Sequence, residues 1–208
     1  MTADGGHKPA RAWQRMLSGR RLDLLNPDPA DIEIEDIAHG LARVARWNGQ
    51  TVGAHAFSVA QHALVVERIA DGGTDWGNDW RLAALLHDAA EYVIGDLISP
   101  FKNAIGLDYK AFEIRLMEAV HRRYKLPWPL PDEVAARIKA ADREAAYFEA
   151  TKLAGFAAAE AEMLFGIPNR LALDTTSAFY EFDPWPAEQA QRAFLERYGI
   201  LITKLISV

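Results

Sequence analysis

The chain has 208 residues, half of them apolar, and a formal net charge of −6. That apolar content is enough for a sizeable core, and the acidic balance argues against a nucleic-acid duplex or an anionic membrane as the main partner, because both reward basic patches. The absence of cysteine excludes disulfides, thiolate metal sites and cysteine nucleophiles, so any metal must be held by His, Asp and Glu.

The opening "MTADGGHKPARAWQ" has no apolar run behind a basic start and is not expected to act as a secretory signal. The apolar runs along the chain fall far short of the ~20 residues a membrane span needs, so the expectation is a soluble, cytoplasmic protein. Residues 1–9 read as a flexible tail and residues 10–208 as one domain. A short helix is expected over Arg11–Leu17. "LLNPDPADIEIED" is a proline-punctuated connector, after which Ile34, Ile37, Leu41 and Val44 follow the three-to-four spacing of one apolar helix face. "WNGQTVG" breaks that helix with an Asn-Gly pair and a second glycine.

The next helix is expected over about residues 57–70, with Val59, Val66 and Ile69 on one stripe. "DGGTDWGND" is a loop, and Asp79 is placed to cap a helix over about residues 80–94 that Gly95 stops. Lys110–Tyr124 is amphipathic through Ile114, Met117, Val120 and Tyr124. "KLPWPLPDE" is a rigid turn, and Pro131, Asp132 and Glu133 open a helix running to about Leu153. Phe156–Phe165 is alanine-rich and helical, residues 166–182 are irregular, and a last helix opens at Asp183 and Pro184 and closes at Gly199. No stretch alternates convincingly as a strand. The fold class expected is all-α, a single-domain bundle of about six or seven helices.

Ionisable groups collect in "LLHDAAEYVIGD". Leu82, Leu85, Leu86, Ala89 and Val93 form the apolar stripe there, while His87, Asp88 and Glu91 are spaced three and four apart and emerge near one another. Ala83, Ala84 and Ala90 beside them would let another helix approach closely. A His-Asp pair can chelate a divalent ion, although alone it is a weak signal. His62 sits on the apolar stripe of its helix between Val59 and Val66, where a lone histidine is more often a satisfied core residue than a ligand. Asp142 lies inside a helix among alanines, a position aspartate disfavours. Taken together, these two histidines and two aspartates on three helices make a nitrogen and oxygen shell that suits Mn, Fe, Co, Ni or Zn better than Ca or Mg. His7, His39 and His121 are assigned to the tail or the surface.

"VAQHALVV", "LLHDAAEYVIGDLISPFK" and "IKAADREAAYFEA" resemble the three motif blocks of the HD-domain metal-dependent phosphohydrolases, in particular the branch of bacterial 5'-deoxynucleotidases. The resemblance spans Ile34 to Glu149, and its middle block is the specific part. It implies an HD-type helical bundle with one divalent transition-metal ion (Mn, Co, Fe, Ni or Zn) on His62, His87, Asp88 and Asp142. The same branch carries an Arg-Trp pair about fifteen residues before its first metal histidine, matched here by Arg46 and Trp47 in "VARWNGQ". In the family this pair helps hold the nucleotide phosphate and sugar, and a planar guanidinium suits phosphate. The order of the motif admits either His55 or His62 as the first metal histidine; "VAQHALVV" and the Arg-Trp spacing favour His62, leaving His55 to contact phosphate or to cap the helix.

The resemblance implies hydrolysis of a nucleoside 5'-monophosphate through a metal-activated water. Glu91, one helical turn from the metal pair, is the candidate to orient or deprotonate that water. Asp96 matches a position that contacts the sugar or assists proton transfer, and Ser99 one that contacts the nucleotide. The expected partner is a small phosphorylated substrate; a homodimer is an expectation from the family alone. Two other readings fit the same residues. A nucleoside triphosphate or another phosphorylated metabolite would call for further basic residues, of which Lys102 is the nearest. A non-catalytic helical binding module would have been expected to lose at least one ligand.

Overall fold

The computed structural model describes residues 12–73, 76–97, 107–168 and 182–206. The architecture is all-α, with one small β-ribbon among the described residues. The expected tail at residues 1–9, most of the irregular stretch after 166, and Ser99 and Lys102 lie outside the described residues.

The ribbon corrects the helix expected over Arg11–Leu17. Strand β1 (Trp13–Arg15) pairs antiparallel with β2 (Arg21–Asp23), with Gln14 opposite Leu22. Gly19, at φ 91°, takes the left-handed conformation that reverses the chain. Leu22 is fully buried, and the Arg21 guanidinium lies 3.9 Å from the Trp13 ring centroid. Three-residue strands are too short to show alternation in the sequence. Ser18 donates to the buried Asp36 carboxylate through both its backbone N–H and its hydroxyl, fastening the ribbon to the first helix.

Helix α1 (Ile34–Leu41) buries Ile37, Ala38 and Leu41. A three-ten turn over Arg46–Gly49 follows, with Trp47 at φ 57° and Asn48 at φ 50°. The chain around it is pinned to the start of the next helix: the Arg46 N–H donates to the Phe57 carbonyl at 2.8 Å and the Val59 N–H to the Val44 carbonyl at 3.0 Å. Helix α2 (Val59–Asp71) is capped by the Ser58 hydroxyl, which accepts from the Gln61 N–H, and ends at Gly72 in the left-handed region. It is buried nearly all round, so it is the central helix rather than one with a single apolar stripe.

Helix α3 (Asn78–Leu85) follows Gly77, so Asp79 lies in its first turn instead of capping it. The single helix expected over 80–94 is broken. The chain leaves α3 at Leu86, and His87 and Asp88 lie on the turn before a short helix α4 (Glu91–Ile94). At the break the Ala84 carbonyl accepts both the His87 backbone N–H at 3.3 Å and the His87 Nδ1–H at 2.8 Å, which leaves neither lone pair for the Asp88 N–H that would continue the helix. Gly95 does end α4, at φ 76°.

Helix α5 (Leu107–Arg123) packs on the turn Pro29–Asp31. His121 on it is buried rather than at the surface: its Nδ1 contacts the Pro127 carbonyl at 2.8 Å and its ring meets Trp128 edge-on. His39 is partly buried on α1, and His7 lies outside the described residues. Helix α6 (Asp132–Lys152) packs against α2 and against α7 (Ala158–Phe165). Helix α8 (Ala187–Ile206) begins beyond Pro186 and runs through Gly199 instead of stopping there, because Leu201 past it is buried in the core. Among the described residues this makes eight α-helices, against the six or seven expected. Buried Glu67 on α2 accepts from Arg81 at 2.8 Å on α3 and from Arg197 at 2.7 Å on α8, tying the three together.

Candidate active site

Three elements deliver the predicted ligand residues to one place. His62 comes from the first turn of α2, His87 and Asp88 from the turn after α3, and Asp142 from the middle of α6. Ligand atoms of His62, His87 and Asp142 all lie within 4.8 Å of one another. Asp88 joins them: its Oδ2 is 3.2 Å from His87 Nε2 and 3.5 Å from His62 Nε2, while Asp142 Oδ1 is 3.2 Å from His62 Nε2. It is His62, not His55, that shares this cluster; His55 is exposed on the loop before α2.

The two imidazoles are held in matching tautomers. The Ala84 carbonyl can only accept, so His87 Nδ1 carries a hydrogen. Glu149 Oε1 lies 2.6 Å from His62 Nδ1 and imposes the same choice there. Both Nε2 atoms are buried and make no hydrogen bond, with the Asp88 and Asp142 carboxylate oxygens 3.2 to 3.5 Å away. Unpaired buried nitrogens are costly, and a cation is what two Nε2 lone pairs and two carboxylates together accommodate. The donor set therefore fits a divalent ion. His62 is sealed inside, whereas the Asp142 side chain is 39 % exposed and Asp88 23 %, so the cluster has one face towards solvent.

Arg46 and Trp47 reach the cluster through Glu149. Glu149 Oε2 accepts from Trp47 Nε1 at 2.9 Å and from Arg46 Nε at 3.2 Å, and Arg46 Nη1 donates to Asp96 at 3.1 Å. Trp47 also packs against Phe156 and Phe165, with ring centroids 5.6 and 5.9 Å away. Glu91, the first residue of α4, is only 2 % exposed. Ser99 lies outside the described residues, so its place relative to the cluster is not described.

The charges are strongly interdependent. Burial and the nearby Arg46 charge push the His62 imidazole down, but the Glu149 and Asp142 carboxylates outweigh both and raise it to about 10, so a cation entering the cluster takes the place of the Nε2 proton. Burial alone would raise the Asp88, Asp142 and Glu149 carboxyls; the imidazoles and Arg46 pull Asp88 far below the usual range, His62 lowers Asp142, and Arg46 and His62 lower Glu149. Burial likewise disfavours the Arg46 charge, and Glu149 and Asp96 more than restore it. Tyr109 on α5 is raised by burial first and then by the fields of Glu113, Glu91, Asp96 and Asp88, which marks it as a neighbour of the acidic side of the site.

Glu149 is the residue that sequence reasoning passed over. It stands seven residues after Asp142, two turns along the same face of α6. That spacing was the available signal, and the polar pair repeats within an otherwise alanine-rich face.

The sequence matches the profile of the family described as 5'-deoxynucleotidase YfbR-like over residues 37–163. An uncharacterized protein of Rhodobacter capsulatus is 53% identical over 196 residues, covering 94% of this chain and 98% of its own length. The matched segment takes in His62, His87, Asp88, Asp142 and Glu149 and more than half of the chain; the protein belongs to the YfbR-like 5'-deoxynucleotidase family of HD-type phosphohydrolases.

Proposed function

We propose that the protein hydrolyses nucleoside 5'-monophosphates to nucleoside and inorganic phosphate, with one divalent transition-metal ion (Mn, Co, Fe, Ni or Zn) held by His62, His87, Asp88 and Asp142. The observation that carries this reading is the pair of buried, unpartnered Nε2 atoms, tautomer-fixed by Ala84 and Glu149 and facing two carboxylates. When bound, such an ion lowers the pKa of water and neutralises a phosphoryl oxygen.

The chain's own residues divide the remaining work. Arg46, held by Glu149 and Asp96, supplies a fixed positive charge for the phosphate. Glu91, buried one turn beyond Asp88, orients or deprotonates the attacking water. Asp96, which accepts from Arg46, contacts the sugar or passes a proton to the leaving alkoxide; its link to the phosphate-binding guanidinium supports this reading. Around Arg46 stand Asp88, Asp96, Asp142 and Glu149, so a dianionic phosphate meets net negative charge unless a cation is also present.

The test is phosphate release from deoxy- and ribonucleoside mono-, di- and triphosphates, each with Mn, Co, Ni, Fe, Zn and Mg. Monophosphate turnover that needs a transition metal and disappears in Asp88→Ala is expected. Turnover confined to triphosphates would move the substrate class, and undiminished activity in Asp88→Ala would overturn the assignment.

A further inference from the structure

Glu149 is fully buried at the meeting point of the two halves of the site. One oxygen engages the His62 imidazole at 2.6 Å, and the other receives Trp47 Nε1 at 2.9 Å and Arg46 Nε at 3.2 Å. A carboxylate needed only to neutralise a buried guanidinium would be satisfied by Arg46 and water or a backbone donor. Here both oxygens are spent, on donors from two different elements with different tasks. We infer that Glu149 is a positioning residue that ties the metal shell to the phosphate grip, fixing His62 through Oε1 and holding Arg46 and Trp47 through Oε2. The inference rests on the reading of the site proposed above and extends it to a residue outside the predicted ligand set.

An ionised carboxylate can serve both sides because it only accepts. An amide cannot. In Glu149→Gln the amide oxygen can accept from His62 Nδ1–H, which turns the NH₂ group against the Arg46 and Trp47 donors. With the amide reversed, the oxygen serves Arg46 and Trp47 while the NH₂ group donates to Nδ1. That places the ring hydrogen on Nε2, the atom that faces Asp88 and Asp142. Either orientation breaks one half of the site. Glu149→Asp keeps the charge beside Arg46, so folding is protected, but it is one methylene shorter and cannot span both partners.

The experiment measures three things in the full-length wild type, Glu149→Gln and Glu149→Asp: Co²⁺ affinity by titration of the visible absorption band, the KM and kcat of phosphate release from deoxyadenosine 5'-monophosphate, and folding by circular dichroism. Each variant is expected to fold and to show Co²⁺ affinity weakened by about 10- to 100-fold, KM raised about tenfold, or both. Folded variants with Co²⁺ affinity and KM within about twofold of wild type would overturn the role of Glu149 while leaving the site reading intact. Wild-type protein that neither binds Co²⁺ nor releases phosphate would overturn both.

Discussion

Nε2 of His62 lies 3.2 Å from Oδ1 of Asp142, although the two residues come from different helices and stand eighty positions apart in the chain. The packing of α2 on α6 brings them together, so the cluster exists only in the folded protein. Asp142 is the most exposed of the four proposed ligands. Asp142→Ala should therefore leave the circular dichroism spectrum unchanged while phosphate release falls by more than about 100-fold, beyond the effect of losing an outer partner alone. Activity retained in that variant would remove Asp142 from the shell.

A cation that binds the folded chain and not the unfolded one raises stability by mass action. At about 100 times its Kd the gain is ~2.7 kcal/mol. Protein stripped with a chelator should melt at a lower temperature, and added Mn²⁺ or Co²⁺ should restore it. Asp88→Ala should abolish that response, which scanning fluorimetry reads without any substrate. A melting temperature indifferent to chelator and metal would count against the donor set.

Glu67 carries weight in the scaffold rather than in the chemistry. It is 2 % exposed and holds Arg81 and Arg197 across three helices. Glu67→Ala leaves both guanidinium groups without it, at a cost of about 3 kcal/mol, the lower end for a broken buried pair because both arginines keep some contact with water. Urea denaturation should show the loss, while specific activity per folded molecule stays at the wild-type value.

Gly40 marks the closest approach of α1 and α4. A Cβ built there would stand 2.7 Å from Tyr92 Cβ and 2.9 Å from the Tyr92 carbonyl oxygen. Gly40→Ala must push α4 away, at about 1–3 kcal/mol for the overpacking. Because Glu91 opens that helix, a fall in kcat should accompany the fall in stability. A variant with both unchanged would mean that α1 and α4 slide freely.

His121 supplies a pH signature of folding. Burial, only partly offset by the Pro127 carbonyl, lowers its pKa below the ordinary value. The folded state then binds fewer protons at this residue than the unfolded state does. Its contribution is complete above about pH 6.5 and is lost as pH falls towards the folded pKa. The stability gap between wild type and His121→Gln should shrink between pH 7 and pH 5. A gap that widens on acidification would contradict the burial of this ring.

Long apolar periods made the helices around His62 and Asp142 readable, because α2 and α6 bury several turns each. The break after Leu85 was not readable: it depends on a ring nitrogen capturing the Ala84 carbonyl, a contact that residue spacing does not encode. His121 was missed for a related reason. Three basic residues follow one another at 121–123, which looks like surface, yet the first of them turns inwards under Trp128. Glu149 lies outside the metal-ligand pattern and its partners come from distant elements, although its place two turns beyond Asp142 on the same face is legible in the spacing. The roles of Glu91 and Asp96 rest on family resemblance; residue spacing does not encode the burial of the one or the contact of the other with Arg46.

The turn at Trp47 and Asn48 sets stability against fitness for the reaction. Two successive residues with side chains hold left-handed backbone. Asparagine tolerates this, but a bulky residue such as tryptophan does not, at a cost of order 1–2 kcal/mol. Phe156, Phe165 and Glu149 hold the indole in spite of that cost. Selection for heat resistance alone would favour glycine at Asn48, where no such contacts are lost, but not at Trp47, whose indole packing outweighs the backbone cost. The same relaxation would loosen Arg46, so thermostable descendants of this chain should arise more readily by changes elsewhere.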